Sequence, residues 1–388
     1  ISCRLFFAKY SIDAIAYLLL CFLVLTLKKV SQLEKISSNF FVLTCNLTNC
    51  KNEVFVALNN TMLSTIIQEI KTYPGITRKN SIYRITNNLQ QAVNFGSTIA
   101  HFGEDAAAIS FGNEYLLLAA DGILPALIQA NPYAAGKASV MASVNDIYAM
   151  GGRPLAMVNV IGLPNSSFFD DIIRGITKAC IKYRVPMVGG HFHPDTCELS
   201  LSVAIMGVAK KLLFSNNAKP GQDIIFAVDL EGRGYQCKPV ISWDTNSGKT
   251  SAQVLERLEV LPTLAEKELC STAKDISNGG LLGTIALLLE VSEVGAIISL
   301  EAIPRPEGFP LLDWLKAFLS YGFVLTADKA LSKPIIHAFN NVGVTACTIG
   351  HITSVRKMYL SFQGASEILF DFEKEAITGI TKKDLLQQ

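Results

Sequence analysis

One acidic residue in an apolar helix constrains this chain more than any bulk property does. From Tyr133 to Met150 the residues are mostly small or apolar, and the pattern stops at Gly151-Gly152, as a helix C-terminus does. Asp146 lies inside that run, in Val-Asn-Asp-Ile-Tyr-Ala-Met. An ionised carboxylate in apolar surroundings has to be paired or bound to a metal. Lys137 is the only base between residues 132 and 152. A fold that keeps Asp146 must bring positive charge to it from elsewhere.

Three more aspartates stand at positions that structure alone does not call for. Asp105 follows Gly103-Glu104 and precedes three alanines, and Asp121 closes the apolar run Tyr115–Ala120. Asp275 opens Asp-Ile-Ser-Asn-Gly-Gly, just ahead of a helical stretch. Singly, each reads as a cap or turn residue. The glycines change the balance. Gly189-Gly190-His191 follows the apolar run Val185–Val188, and Gly279-Gly280 begins a helix, positions that let backbone N–H groups approach a phosphate. Carboxylates beside a polyphosphate repel it unless cations bridge them, and magnesium does so with a few carboxylates plus phosphate oxygens. Aspartates together with glycine loops therefore point to a metal–nucleotide site.

The rest of the pattern is mixed α and β. Strands are expected at Tyr115–Ala120, Leu155–Gly162, Leu199–Val208, Asp223–Leu230, Ala296–Leu300, Gly322–Ala327 and Ala346–Ile352. Helices are expected at Phe169–Tyr183 with a Ser167/Asp170 capping box, at Gly279–Val291 and at Leu311–Ser320. Asn216 to Gly221 is the best domain boundary. The domains are then a leader (1–61) outside the fold, an N-terminal domain (62–215), a C-terminal domain (216–362) and a polar tail (363–388). The leader is set apart by charge: residues 1–90 hold ten Lys and Arg against four Asp and Glu, while the whole chain has a net charge of +1. Its apolar run Ala14–Leu27 is short for a bilayer-spanning helix, which needs roughly 20 apolar residues. The first methionine is Met62, taken here as the start of the folded part. The near-zero net charge gives no call for nucleic acid or membrane partners. Nine cysteines, without a C-x-x-C, read as reduced thiols of a cytoplasmic protein.

These motifs, in this order, resemble a known superfamily. Asn131 to Lys137 and Val144 to Leu155 resemble the matching segment of selenophosphate synthetases. The same stretch is similar to the Ser-Asp-apolar-Ala-Met-Gly segment of thiamine-monophosphate kinases. Gly103-Glu104-Asp105 is similar to their Gly-Asp-Asp, Gly189-Gly190-His191 to the synthetase Gly-Gly-His, and Asp275 to Gly283 to a second-domain motif. The resemblance spans about residues 62–362 and looks most like the AIR-synthase-related branch of the aminoimidazole-ribonucleotide synthase superfamily. It implies an α+β fold of two AIR-synthase-like domains, an N-terminal mixed α/β ATP-binding domain and a C-terminal α/β domain. It also implies ATP and magnesium as cofactors, a small-molecule substrate and a homodimer. Carried over, Asp105, Asp121, Asp146 and Asp275 hold metal. Gly103, Glu104, Asp105, Gly136, Lys137, Asn145, Asp146, Gly189, Gly190 and His191 contact ATP.

The departures narrow the activity. Residues 62–102 contain no cysteine where selenophosphate synthetases carry a Cys- and Lys-bearing segment. The thiamine-phosphate kinase Asp-x-Ser-Asp-Gly is Asp275-Ile-Ser-Asn-Gly here. The expected activity is an ATP- and magnesium-dependent transfer or use of the γ-phosphate. Its rivals are a nucleotide-binding module without turnover, and a selenophosphate synthetase-like or thiamine-monophosphate kinase-like enzyme. Ser247-Gly-Lys-Thr250 ends like a P-loop, but the required first glycine is Trp243. His191 and His193 lack a third zinc ligand at familiar spacing, and Cys197 and Cys270 are read as buried thiols.

Overall fold

The computed structural model describes residues 61–381, apart from residues 90, 91, 94, 95, 101, 165, 238 and 239. The leader, including the apolar run 14–27, lies outside the described residues. Helix α1 (residues 61–71) leads into β1 (Thr98–Ala100), β2 (Ala107–Phe111) and β3 (Glu114–Gly122). Next come α2 (Pro132–Ala149), β4 (Arg153–Gly162), α3 (Phe169–Tyr183), β5 (Met187–His193) and β6 (Ser200–Ala209). The strands form one sheet in the order β1-β2-β3-β6-β4-β5, antiparallel except where β4 and β5 run parallel across the α3 crossover. Along β6, Leu201, Val203 and Ile205 are buried, while Met206 faces out. That period of two is what a sheet covered on one side produces.

Helix α2 begins because the Asn131 side chain accepts from the Ala134 N–H at 2.9 Å and Pro132 occupies the first turn. It ends at Gly151, whose φ of +78° favours glycine. Helices α2 and α3 cross at two glycines. A Cβ on Gly136 would lie 2.3 Å from the Ile172 carbonyl, and one on Gly175 would lie 2.3 Å from the Tyr133 carbonyl. The capping box read at Ser167 is replaced: a short 3-10 turn, Ser166–Phe168, precedes α3 and makes Phe168 its N-cap.

The second half contains β7 (Asp223–Val228), β8 (Arg233–Cys237), β9 (Val240–Asp244), β10 (Thr272–Asp275) and helix α4 (Gly280–Ser292). It continues with β11 (Gly295–Ser299), β12 (Phe318–Leu319), β13 (Gly322–Ala327), β14 (Thr345–Thr353), β15 (Lys357–Phe362) and β16 (Ala365–Asp371). Seven of these strands make a sheet in the order β10-β13-β7-β14-β11-β15-β16, and β12-β9-β8 make a smaller one. Strands β7 and β13 are buried on both faces and read as nearly unbroken apolar runs. Ile225, Ala227, Phe323 and Leu325 join one hydrophobic core with the first sheet's helices. Their neighbours Ile224, Phe226, Val228 and Val324 join a second core under α4.

Two boundaries differ from the sequence reading. Leu63, Ile66 and Ile70 of α1 pack into the second core, so this segment belongs physically with the C-terminal half. Lys71–Glu375 and Lys316–Glu69 ion pairs, both at 2.7 Å, bracket it. At the other end, β16 extends the sheet past residue 362, and the buried carboxylate of Glu290 then accepts from the N–H groups of Ile377 and Thr378 at 2.7 and 2.9 Å. The residues read as tail are thus partly built into the fold. Among the described residues no helix is long and apolar enough to cross a membrane.

Candidate functional site

The four singled-out aspartates come from four different elements. Asp105 sits in the turn before β2, Asp121 at the end of β3, Asp146 in the last turns of α2, and Asp275 at the end of β10. Carboxylate oxygens of Asp105, Asp146 and Asp275 all lie within 4.8 Å of one another. Asp105 Oδ2 also accepts from the Asp275 N–H at 3.2 Å, which ties the two halves of the chain together at this point. The donor set is all oxygen, the chemistry magnesium prefers. Beside it, the side-chain oxygen Glu104 Oε1 is buried and lacks a hydrogen-bond partner. An unpaired buried acceptor next to three carboxylates fits a bound cation.

The electrostatics agree. Burial raises the Asp146 carboxyl well above the usual range, and Asp121, Asp275 and Asp105 raise it further. Asp275 is raised well above its usual value by burial and by Asp105, and Asp121 is raised by the same two causes. Glu104 is pushed up to about 7 by burial, against the Ser215 N–H that donates to its Oε2 at 2.6 Å. These groups repel one another in a dry place.

Two lysines that the sequence reading passed over supply positive charge. Lys274 is buried and forms an ion pair with Asp105, and its Nζ also reaches the Gly103 carbonyl and Ser215 Oγ, each at 3.4 Å. Burial lowers its affinity for a proton, but Asp105, Asp275 and Glu104 outweigh that and hold it above the usual value. Lys79, from the 3-10 turn Arg78–Ser81, feels both Asp275 and Asp105, although burial brings its own pKa down. Lys274 did carry a signal, an ionisable residue in the otherwise inward-facing strand Thr-Ala-Lys-Asp. Lys79 had none, sitting in a polar stretch.

The carboxylates open into a cavity of about 940 Å3, lined also by Gly103, Glu104 and Lys137. Other residues expected at the site stand apart from its lining. Gly136 serves the crossing of α2 and α3 instead. Asn145 is buried and donates to the Ser320 carbonyl at 3.4 Å. Gly189, Gly190 and His191 do not form a loop but lie within the exposed edge strand β5. Lys249 of the P-loop-like segment is a structural cation, 2.9 Å from the buried Asp229. Cys270 is buried, whereas Cys197 is exposed, contrary to its reading as a core thiol.

Residues 103–209 match the N-terminal domain of AIR synthase related protein, and residues 229–363 match its C-terminal domain. The chain belongs to the AIR synthase related family. Each half of the family pattern contributes to the carboxylate cluster, since Asp105 and Asp146 fall in the first match and Asp275 in the second. The chain is 40% identical over 323 residues to an uncharacterized protein of Methanocaldococcus jannaschii, covering 82% of this chain and 99% of that one. It is 30% identical to a selenide, water dikinase of Carboxydothermus hydrogenoformans, covering 64% of this chain and 84% of the enzyme. PurL of T. maritima, solved in complex with ADP, superposes with a TM-score of 0.60 at 18% identity. That match covers 71% of this chain but 46% of PurL, so the family fold here spans about half of that protein.

Proposed function

We propose that this chain is an ATP- and magnesium-dependent enzyme that transfers or uses the γ-phosphate to activate a small molecule. The observation that carries the reading is the cluster of Asp105, Asp146 and Asp275, gathered from both family domains in the lining of one cavity. The names of relatives support it, a dikinase and a PurL that holds ADP. Bound magnesium would neutralise polyphosphate charge between the carboxylates. Asp105, Asp146 and Asp275 would hold it, with Asp121 close behind. Lys274 and Lys79 add fixed positive charge on the same side. Catalysis in such a site rests on positioning more than on covalent chemistry. The acceptor class is an amide or carboxyl oxygen, or a phosphate. Selenide is disfavoured, because residues 62–102 offer no cysteine to handle it.

Calorimetric titration of ATP in magnesium, repeated with chelator, tests the claim. Binding that needs magnesium, with phosphorylated product from at least one acceptor, is the expected result. Binding indifferent to magnesium overturns it, and binding without product from any acceptor class reduces the chain to a nucleotide-binding module.

The functional unit in this reading is a homodimer. The outer face of the first sheet exposes Leu118, Val158, Val160, Val188 and Met206. Contiguous exposed apolar residues on a sheet mark an interaction surface. A second copy of the same face would cover it about a two-fold axis. Sedimentation at micromolar concentration should give a dimer, and Val158→Glu with Met206→Glu should give a folded monomer. A wild-type monomer at that concentration contradicts the assembly.

A further inference from the structure

Helix α4 holds a buried acid, Glu290, whose carboxylate serves the far end of the chain. Besides the N–H groups of Ile377 and Thr378, it accepts from the Thr378 hydroxyl at 2.6 Å and the Gly379 N–H at 3.3 Å. Gly379, at φ +71°, turns the backbone so that successive N–H groups meet one anion. A buried carboxylate is costly unless it is bonded in this way, so Glu290 and residues 377–379 hold each other in place. They do so at a wall of the cavity. Leu287 and Val291 of α4 line it, and Thr378 and Ile380 of the latched segment line it as well.

The latch leads to the turn that carries Asp105. A Cβ on Gly103 would lie 3.3 Å from Val291 Cγ1 and 3.6 Å from Ile380 Cγ2, so both side chains pack on that glycine. The next residue of α4 reaches the turn by another route. Ser292 Oγ donates to the Ser215 carbonyl at 3.1 Å, and the Ser215 N–H donates to Glu104. Lys274 holds the carboxylate of Asp105, whereas α4 and Ile380 brace the backbone just before it. Glu290 itself stands outside the carboxylate cluster. We propose that Glu290 is a positioning residue for the metal site. By fixing residues 377–380 it keeps Ile380 on Gly103, and so holds Asp105 within reach of Asp146 and Asp275. The segment it fixes lies past residue 363, where the matched C-terminal domain ends. The inference rests on the proposed metal–nucleotide reading for its setting, but the latch can be tested without nucleotide.

Manganese, titrated into the full chain and followed by electron paramagnetic resonance, probes the site directly. Glu290→Gln keeps the shape but points an amide NH2 at N–H donors, whichever way it is turned, and so releases the segment. Manganese affinity should fall about 10-fold, as loss of partners behind metal ligands does. Hydrogen exchange should quicken in residues 103–108 as well as in 377–380. Ile380→Ala leaves the latch and removes the contact with Gly103, and manganese affinity should fall likewise. Ile380→Val keeps the Cγ2 that lies nearest Gly103 and should bind manganese as the wild type does. Ile349→Ala, in the second core on β14, should lower the melting temperature and leave manganese affinity alone, which separates loosened packing from lost positioning. Unchanged affinity in both Glu290→Gln and Ile380→Ala overturns the proposal, as does an equal loss in Ile349→Ala. Exchange that quickens at 377–380 but not at 103–108 overturns it too. If Glu290→Gln fails to fold, Ile380→Ala and its valine counterpart decide. If ATP with magnesium fails to bind the wild type, the activity reading falls, and manganese still decides the latch. A wild type that binds no manganese overturns both.

Discussion

Asp146→Asn is expected to fold as well as the wild type and to weaken magnesium-dependent ATP binding roughly 100-fold. The side chain is buried, and its carboxyl is already pushed far toward the protonated form by burial and by three neighbouring aspartates. An amide of the same shape removes that repulsion, so the chelator-treated variant should melt at the same temperature or higher. The cation, however, loses an anionic ligand, and the polyphosphate it carries loses its anchor. Asp275→Asn should behave alike, because its surroundings are of the same kind. Asp105→Asn should not. Its carboxylate is the ion-pair partner of the buried Lys274, and removing it strands an ammonium group in the interior. That variant should lose stability as well as affinity. Thermal melts in chelator and ATP titrations in magnesium measure both quantities. Unchanged ATP affinity in all three variants would end the metal-site reading.

Much of this site was legible because its signals are local. Asn131, Pro132 and Gly151 punctuate α2, so the helix and the anomaly of Asp146 within it follow from adjacent residues. Asp121 closes an apolar strand and Asp275 opens the Asp-Ile-Ser-Asn-Gly-Gly segment ahead of α4, both local cues. What stayed hidden depends on distant partners. Nothing in the amphipathic pattern of α1 says that the second core, and not the first, covers Leu63 and Ile70. Gly189-Gly190 has the composition of a loop, but pairing with β4 draws it into a strand. The small sheet of β8, β9 and β12 escaped notice because Arg-Gly-Tyr-Gln-Cys lacks an apolar alternation, and its stability comes from packing on Trp243 and Trp314. The glycine in Asn131–Lys137 illustrates the limit of motif transfer: Gly136 is demanded by the close approach of α3, whatever the cavity binds.

Lys274→Met should expose what this lysine does for the carboxylates. Methionine keeps much of the length and loses the charge, leaving Lys79 as the cation that acts on both Asp275 and Asp105. Breaking a buried ion pair by removing one partner costs about 3–5 kcal/mol. For a chain of this size that is a fall of about 10 °C in melting temperature in chelator at neutral pH. The fall should depend on pH in a definite sense. Asp146 and Asp275 have folded pKa values raised above their unfolded ones, so above the unfolded value the native state binds more protons than the unfolded state. Their contribution to stability therefore declines as pH rises from about 4 through the raised values. Lys274 lowers both pKa values in the wild type. Its removal raises them further, and the deficit of the variant should be small near pH 5 and larger near pH 8. Magnesium should restore the variant more than it stabilises the wild type, because a divalent cation would then replace the missing ammonium charge. Melting both proteins at the two pH values, with magnesium and with chelator, gives four comparisons. A deficit that ignores both pH and magnesium would mean that Lys274 merely fills space, and that the charge balance assigned to this cluster is mistaken.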